Sequence, residues 1–230
     1  MSWREFYETD AQGLWSLIVV PAVFLLWRAL APVRRAGIEP ATARFVHAWS
    51  IVFALETVLD PLVTGPLVRW LGVADGLVGQ LVLFLFVYLG DFRMFVLLLG
   101  VATPGRSLAR VVAEAAAWSL VVPGVTFAAM TALRALLGSL PGTVLWLVYE
   151  IAFTALALVL RQTLVPARVS PERPAVRAYL RAVLAYVAVY YALWGAADAL
   201  ILLGVDAGWA IRIVPNQLYY SFFVPFAALR

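Results

Sequence analysis

Seven apolar stretches, each long enough to cross a lipid bilayer, follow one another along this chain with only short polar breaks between them. They read as Leu14–Ala31, Phe45–Val68, Leu77–Leu99, Val111–Leu133, Thr143–Leu164, Leu180–Leu203 and Trp209–Leu229. No segment outside them is long enough to fold by itself. The 230 residues are therefore expected to form one all-α domain over 1–230, a polytopic bundle of seven transmembrane helices. Hydrophobic residues make up 64% of the chain against 13% charged, more apolar surface than a soluble globule of this size can bury. Function must then lie inside the bundle or in its short loops. The expected partners are the bilayer and a hydrophobic small molecule, with no nucleic acid.

Missing residue types narrow the chemistry further. The absence of Cys excludes disulfide scaffolds, thiolate metal sites, iron–sulfur clusters and cysteine nucleophiles. A single histidine, His47, cannot build a multi-histidine metal or haem site, so neither metal nor cofactor is expected. All 17 basic residues are Arg, which removes any lysine Schiff base and hence retinal or pyridoxal attachment.

The arginines orient the spans. Twelve fall on one side, in the loops and helix ends holding Arg28 to Arg44, Arg106, Arg110, Arg161 to Arg181 and Arg230. Four (Arg4, Arg69, Arg134 and Arg212) fall on the other, and Arg93 lies within the third span. The positive-inside rule predicts an outer N-terminus and a cytoplasmic C-terminus, as in a multi-pass bacterial inner-membrane protein. Ala29-Leu30-Ala31 fits a signal-peptidase pattern, but Arg28 and the acidic segment before the first span predict that this helix is retained.

Two outer loops resemble each other, Leu71-Gly72-Val73-Ala74-Asp75-Gly76 and Leu203-Gly204-Val205-Asp206-Ala207-Gly208. Spans one to three are therefore candidates to repeat as spans five to seven around a linking fourth helix, although the intramembrane acids do not align in that register.

Ionisable groups inside a bilayer cost several kcal/mol unless they meet a partner or a cavity, so they mark function first. Glu56 and Asp60 share a face of span two at i, i+4; Asp91 is in span three, Glu150 in span five and Asp198 in span six. Arg93 and Arg212 are the nearby cations, with Glu114 as a candidate partner for Arg93. Five acids against two arginines predict acids that hold a proton or a cation.

Each acid sits on an aromatic face: Trp49 and Phe53 beside Glu56 and Asp60; Phe84, Tyr88 and Phe95 beside Asp91; Trp146 and Phe153 beside Glu150; and Tyr186, Tyr190 and Trp194 beside Asp198. Span seven adds Arg212, Asn216, Tyr219, Tyr220 and Phe223, with Pro215 freeing a carbonyl. Together these predict a pocket opening toward the outer half of the membrane. A buried acid among ring faces suits carbocation chemistry on an isoprenoid, with Glu56 as general acid, Asp198 or Asp91 as second acid or base, and the rings and polar neighbours as substrate contacts. It suits equally a proton-coupled carrier or receptor that takes a cationic or amine solute at Asp60, Glu150 and Asp198. Chance aromatic flanking, acids engaged only in helix packing, and a structural subunit are the plainer alternatives. Glu56-x-x-x-Asp60 has no second acid-rich motif to complete a diphosphate-binding magnesium site.

The seven-span layout, with Glu56 in the second span and Asp198 in a late one, resembles the small integral-membrane terpene cyclases of meroterpenoid and indole-terpenoid pathways. That resemblance implies Glu56 and Asp198 as the acid residues of a proton-initiated cyclisation.

Overall fold

The computed structural model describes residues 1–31 and 39–230, and all regular structure among them is helical. Arg34 and Arg35, two of the arginines used for orientation, lie outside the described residues. In chain order the helices are α1 (Trp3–Tyr7), α2 (Ala11–Leu30), α3 (Pro40–Trp70), α4 (Leu77–Ala102), α5 (Leu108–Ser119), α6 (Val121–Leu137), α7 (Gly142–Arg168), α8 (Pro174–Leu202), α9 (Ala207–Asn216) and α10 (Phe223–Leu229). A widened turn over Gln217–Phe222 joins the last two.

Among the described residues, six helical segments are long and apolar enough to cross a membrane: α2, α3, α4, the pair α5–α6 taken together, α7 and α8. The final segment is helical but does not join them, because Arg212, Asn216, Gln217, Tyr219, Tyr220 and Ser221 fall in its middle. Large apolar side chains such as Leu26, Val52, Leu55, Leu81, Phe84, Phe127 and Val189 point outward, whereas Ser50, Thr57, Asp60, Asp91, Arg93, Glu150 and Asp198 are buried. That reversal of the usual soluble pattern is what a lipid surroundings selects, and it identifies a membrane protein.

The chain divides into two compact units. The N-side unit is Thr9–Ser119 with Tyr220–Arg230; the C-side unit is Leu120–Tyr219 with Met1–Glu8. The boundary within the fourth span falls at the turn residue Leu120.

In the N-side unit α2 packs on α3, α3 on α4, α4 on α5, and α10 lies against α2 and α3. Pro40 opens α3, where its missing N–H has no helical partner to lose. Pro61 and Pro66 interrupt the ladder of the same helix and widen it into a π turn over Val63–Leu67, directly after Asp60.

In the C-side unit α8 packs along both α7 and α9, α6 packs on α7, and α1 packs on α9. Gly208 allows the start of α9 to approach α8: a Cβ there would stand 2.8 Å from the Ala197 carbonyl oxygen and 2.8 Å from Ile201.

The two similar loops fold alike, one in each unit. Gly72 and Gly204 both take positive φ, at 68° and 75°. Each ends its helix with a paired closure: the Gly72 N–H donates to the Arg69 carbonyl and the Val73 N–H to that of Val68, while Gly204 donates to Ile201 and Val205 to Leu200. Gly76 and Gly208 then donate to the Val73 and Val205 carbonyls respectively. The shared hexapeptide is thus a shared helix stop, set by a glycine in the left-handed region.

Gly208→Ala is expected to lower stability by about 1–3 kcal/mol, because backbone rather than a movable side chain meets the new methyl. Gly124→Ala, where a Cβ meets nothing within 4 Å, serves as the neutral comparison. Thermal unfolding of both variants in detergent checks this, and a fall in Tm confined to Gly208→Ala is the expected result.

Candidate functional site

The residues expected to line one pocket divide between the units. Trp49, Phe53, Glu56, Asp60, Tyr88, Asp91 and Tyr220 belong to the N-side unit; Trp146, Glu150, Tyr190, Trp194, Asp198, Arg212, Asn216 and Tyr219 belong to the C-side unit. Each group is an acid cluster organised by one arginine, Arg93 buried and Arg212 half-buried.

In the N-side unit the i, i+4 spacing on α3 puts Glu56 and Asp60 on one side of the helix, as the sequence predicts. Arg93 reaches across from α4. Its side chain is 1% exposed; Nη1 lies 3.5 Å from Glu56 Oε2 and donates to Thr57 Oγ1 at 2.7 Å. Thr57 Oγ1 in turn donates to the Phe53 carbonyl at 2.6 Å. Arg93 also acts electrostatically on Asp60, so one arginine serves two acids. Asp60 receives a hydrogen bond from the Tyr220 hydroxyl, and Thr64 Oγ1 lies 3.2 Å from its Oδ1. Glu56 Oε1 is buried and meets no hydrogen-bond partner.

Aromatic rings wall this cluster. Trp49 is 5.7 Å from Phe53 and 6.2 Å from Phe223 between ring centres, and its Nε1 donates to the Arg93 carbonyl at 2.8 Å. The Arg93 guanidinium stands 5.1 Å from the Phe223 ring centre. Phe53 meets Phe92, which stacks on Tyr88 at 6.1 Å. Tyr88 itself turns to the Ala116 carbonyl of α5, at 3.1 Å. Asp91 is buried two positions before Arg93, and so on another side of α4.

Arg93 pairs with Glu56, and Glu114, the partner expected for it, pairs with Arg106 across the Pro104-Gly105 turn. Arg93 is deep in α4, where the acids of α3 are within reach, whereas Glu114 lies close to the loop.

In the C-side unit Asp198 of α8 is fully buried and pairs with Arg212 of α9. A chain of polar contacts runs on from there. Arg212 Nε donates to the Tyr7 hydroxyl oxygen at 3.2 Å, Asn216 Nδ2 donates to the same oxygen at 3.0 Å, and Trp194 Nε1 donates to Asn216 Oδ1 at 2.8 Å. Glu150 of α7 is 3% exposed and lies against Gly195, one turn before Asp198 on α8; a Cβ at Gly195 would be 4.0 Å from Glu150 Oε2. Arg212 acts electrostatically on Glu150 as well. Glu150 Oε2 and Asp198 Oδ2 are both buried with no hydrogen-bond partner.

Rings again surround the acids. Phe153 stacks on Tyr191 at 4.2 Å, Tyr191 is 5.5 Å from Trp194, and Trp194 lies 5.6 Å from Tyr190 and 5.2 Å from Tyr219. Trp146 meets Tyr149 edge-on at 6.2 Å.

Tyr7 is the member of the C-side cluster that sequence reasoning missed. It lies outside every apolar stretch and meets Arg212 across 205 positions, so no periodicity points to it. Helix α1 holds it in place: the Trp3 N–H donates to Asp206 Oδ2 at 2.8 Å, and Tyr7 packs on Trp209 at 5.2 Å. Thr57, Thr64 and Phe92 were also unmarked, although two hydroxyls beside the acids of α3 are a signal that polarity within a span supplies.

Comparison of the chain with protein-family models, curated proteins and solved structures finds no match. The functional reading rests on the chemistry of the two clusters.

Removing one member of a buried pair leaves the other charge uncompensated. Arg212→Met should therefore cost about 3–5 kcal/mol, and the double variant Arg212→Met with Asp198→Asn should regain most of that loss. Thermal unfolding of both single variants and the double variant provides the cycle, with additive losses as the opposing result.

Proposed function

We propose that the chain is an intramembrane acid–base enzyme acting on a lipid-soluble, isoprenoid-like substrate, with Glu56 as proton donor. The observation that carries this reading is the buried Glu56 Oε1 without a partner, in a cluster where Arg93 serves both Glu56 and Asp60. Two carboxyls and one guanidinium balance in an apolar interior when one carboxyl keeps its proton. Asp60, which accepts from Tyr220, is the acceptor of the pair, and Glu56 is the donor.

The reaction is an isomerisation. The Glu56 proton adds to an alkene carbon or an epoxide oxygen, a carbocation forms, and a neighbouring double bond attacks it to close a ring. Asp60 then removes a proton from an adjacent carbon, so the product keeps the composition of the substrate. The faces of Trp49, Phe53, Phe92 and Phe223 stabilise the cation by about 0.5–2 kcal/mol per contact. Substrate reaches such a centre from the lipid, which suits a chain whose outer surface is apolar. Asp91, on another side of α4, and Asp198, fully buried in the Arg212 cluster, are the other acids expected to act and are not used in this step. With the last helix crossing as a seventh span, the arginines put the N-terminus outside and the C-terminus in the cytoplasm of a cell with an inner membrane.

Membranes containing the wild type, Glu56→Gln or Asp198→Asn, incubated with linear and epoxidised polyprenyl compounds, test the proposal by mass spectrometry. The wild type should yield cyclised isomers, and Glu56→Gln should lose about 100-fold or more of that activity, the range of a general acid. Asp198→Asn should retain the larger share. Absence of product with folded wild-type protein overturns the reading.

A further inference from the structure

The reaction proposed above uses no residue of the C-side cluster, whose two acids and one arginine balance only if a proton or a second cation joins them. Arg212 acts on both Glu150 and Asp198, and the pair with Asp198 leaves Glu150 without a countercharge of its own. Two carboxyl oxygens, Glu150 Oε2 and Asp198 Oδ2, are buried and receive no hydrogen bond. A buried acceptor left unmade costs about 1–3 kcal/mol, so two on one site point to a donor that belongs there. Both acids converge on one stretch of α8: Glu150 lies against Gly195, and Asp198 follows three residues later on the same face.

We infer that this cluster binds the protonated head of a primary or secondary amine. What is missing is one positive charge together with N–H donors for two oxygens, and such an ammonium supplies both. A quaternary ammonium brings the charge but has no N–H to give. A divalent cation would overfill the charge, and no group of three or more ligating side chains exists among the described residues. The carbon skeleton would lie along Tyr149, Tyr191 and Trp194, rings suited to a cation and its attached methylenes. A soluble amine and the ethanolamine headgroup of a lipid share this chemistry. The inference uses no residue of the Glu56 cluster, so failure of the polyprenyl assay leaves it intact.

Isothermal titration calorimetry of the full chain in uncharged detergent, with phenethylammonium chloride as probe, tests the inference. The expected result is saturable binding that weakens about tenfold or more for 2-phenylethanol and for trimethyl(2-phenylethyl)ammonium, each lacking one required feature. Glu150→Gln should weaken the probe to a similar degree, whereas Glu56→Gln should not. The two analogues are read on the wild type, so the test does not depend on any variant folding. No saturable binding, equal binding of the alcohol or the quaternary analogue, or unchanged binding in folded Glu150→Gln would overturn the inference. Repeating the titration in phosphatidylglycerol nanodiscs with and without phosphatidylethanolamine names the source. Weaker probe binding with the ethanolamine lipid identifies the headgroup as occupant, and unchanged binding identifies a soluble amine.

Discussion

A charge placed in hydrocarbon must find its countercharge and its hydrogen bonds inside the protein, and Arg93, buried, and Arg212, half-buried, are where the acids of this chain meet that demand. Arg93 ties α4 to α3 through Glu56 and Thr57, and its carbonyl receives the Trp49 indole. Arg212 ties α9 to α8 through Asp198 and to α1 through Tyr7. Lipid offers no hydrophobic drive between helices, so such contacts, with close packing at Gly208, carry the association. Each of the two clusters sets one guanidinium among more than one acid.

Two of the three π turns among the described residues fall beside the same groups; the third, over Ala11–Trp15, opens α2. The π turn over Val63–Leu67 follows Asp60, and that over Gln217–Phe222 contains Tyr220, which donates to Asp60. A π turn inside a helix opens the backbone ladder and shifts the side chains that follow. Here it is kept at the two places from which one acid is held. The paired proline interruptions of α3 at Pro61 and Pro66 have the same consequence, since neither residue can donate to the ladder.

Much of this was legible in the sequence, for local reasons. Apolar runs fix spans because their length is set by the bilayer, and an i, i+4 pair such as Glu56 and Asp60 shares a face in any helix. The hexapeptides at Leu71 and Leu203 read correctly as one loop used twice, because a glycine after an apolar helix has one common geometry. Periodicity names a face but not the neighbour that covers it. Hence the sequence alone did not show that Glu56 of α3 is the acid that meets Arg93, or which of the expected pocket residues share a unit. The final segment was harder to classify, since its polar cluster residues Arg212, Asn216 and Tyr219 are the ones that dilute its apolar character. Tyr7 had no local signal at all.

The account depends most on the exposed face of α3 lying in lipid while its other face holds Glu56 and Asp60 away from water. The native chain has no Cys, so single nitroxide labels placed through cysteine at Val52, Leu55 and Leu59, all exposed apolar positions, report that face without background. Electron paramagnetic resonance in reconstituted bilayers should show all three labels open to oxygen and closed to a water-soluble nickel complex. Free access of nickel at these positions would put α3 in water and contradict the account.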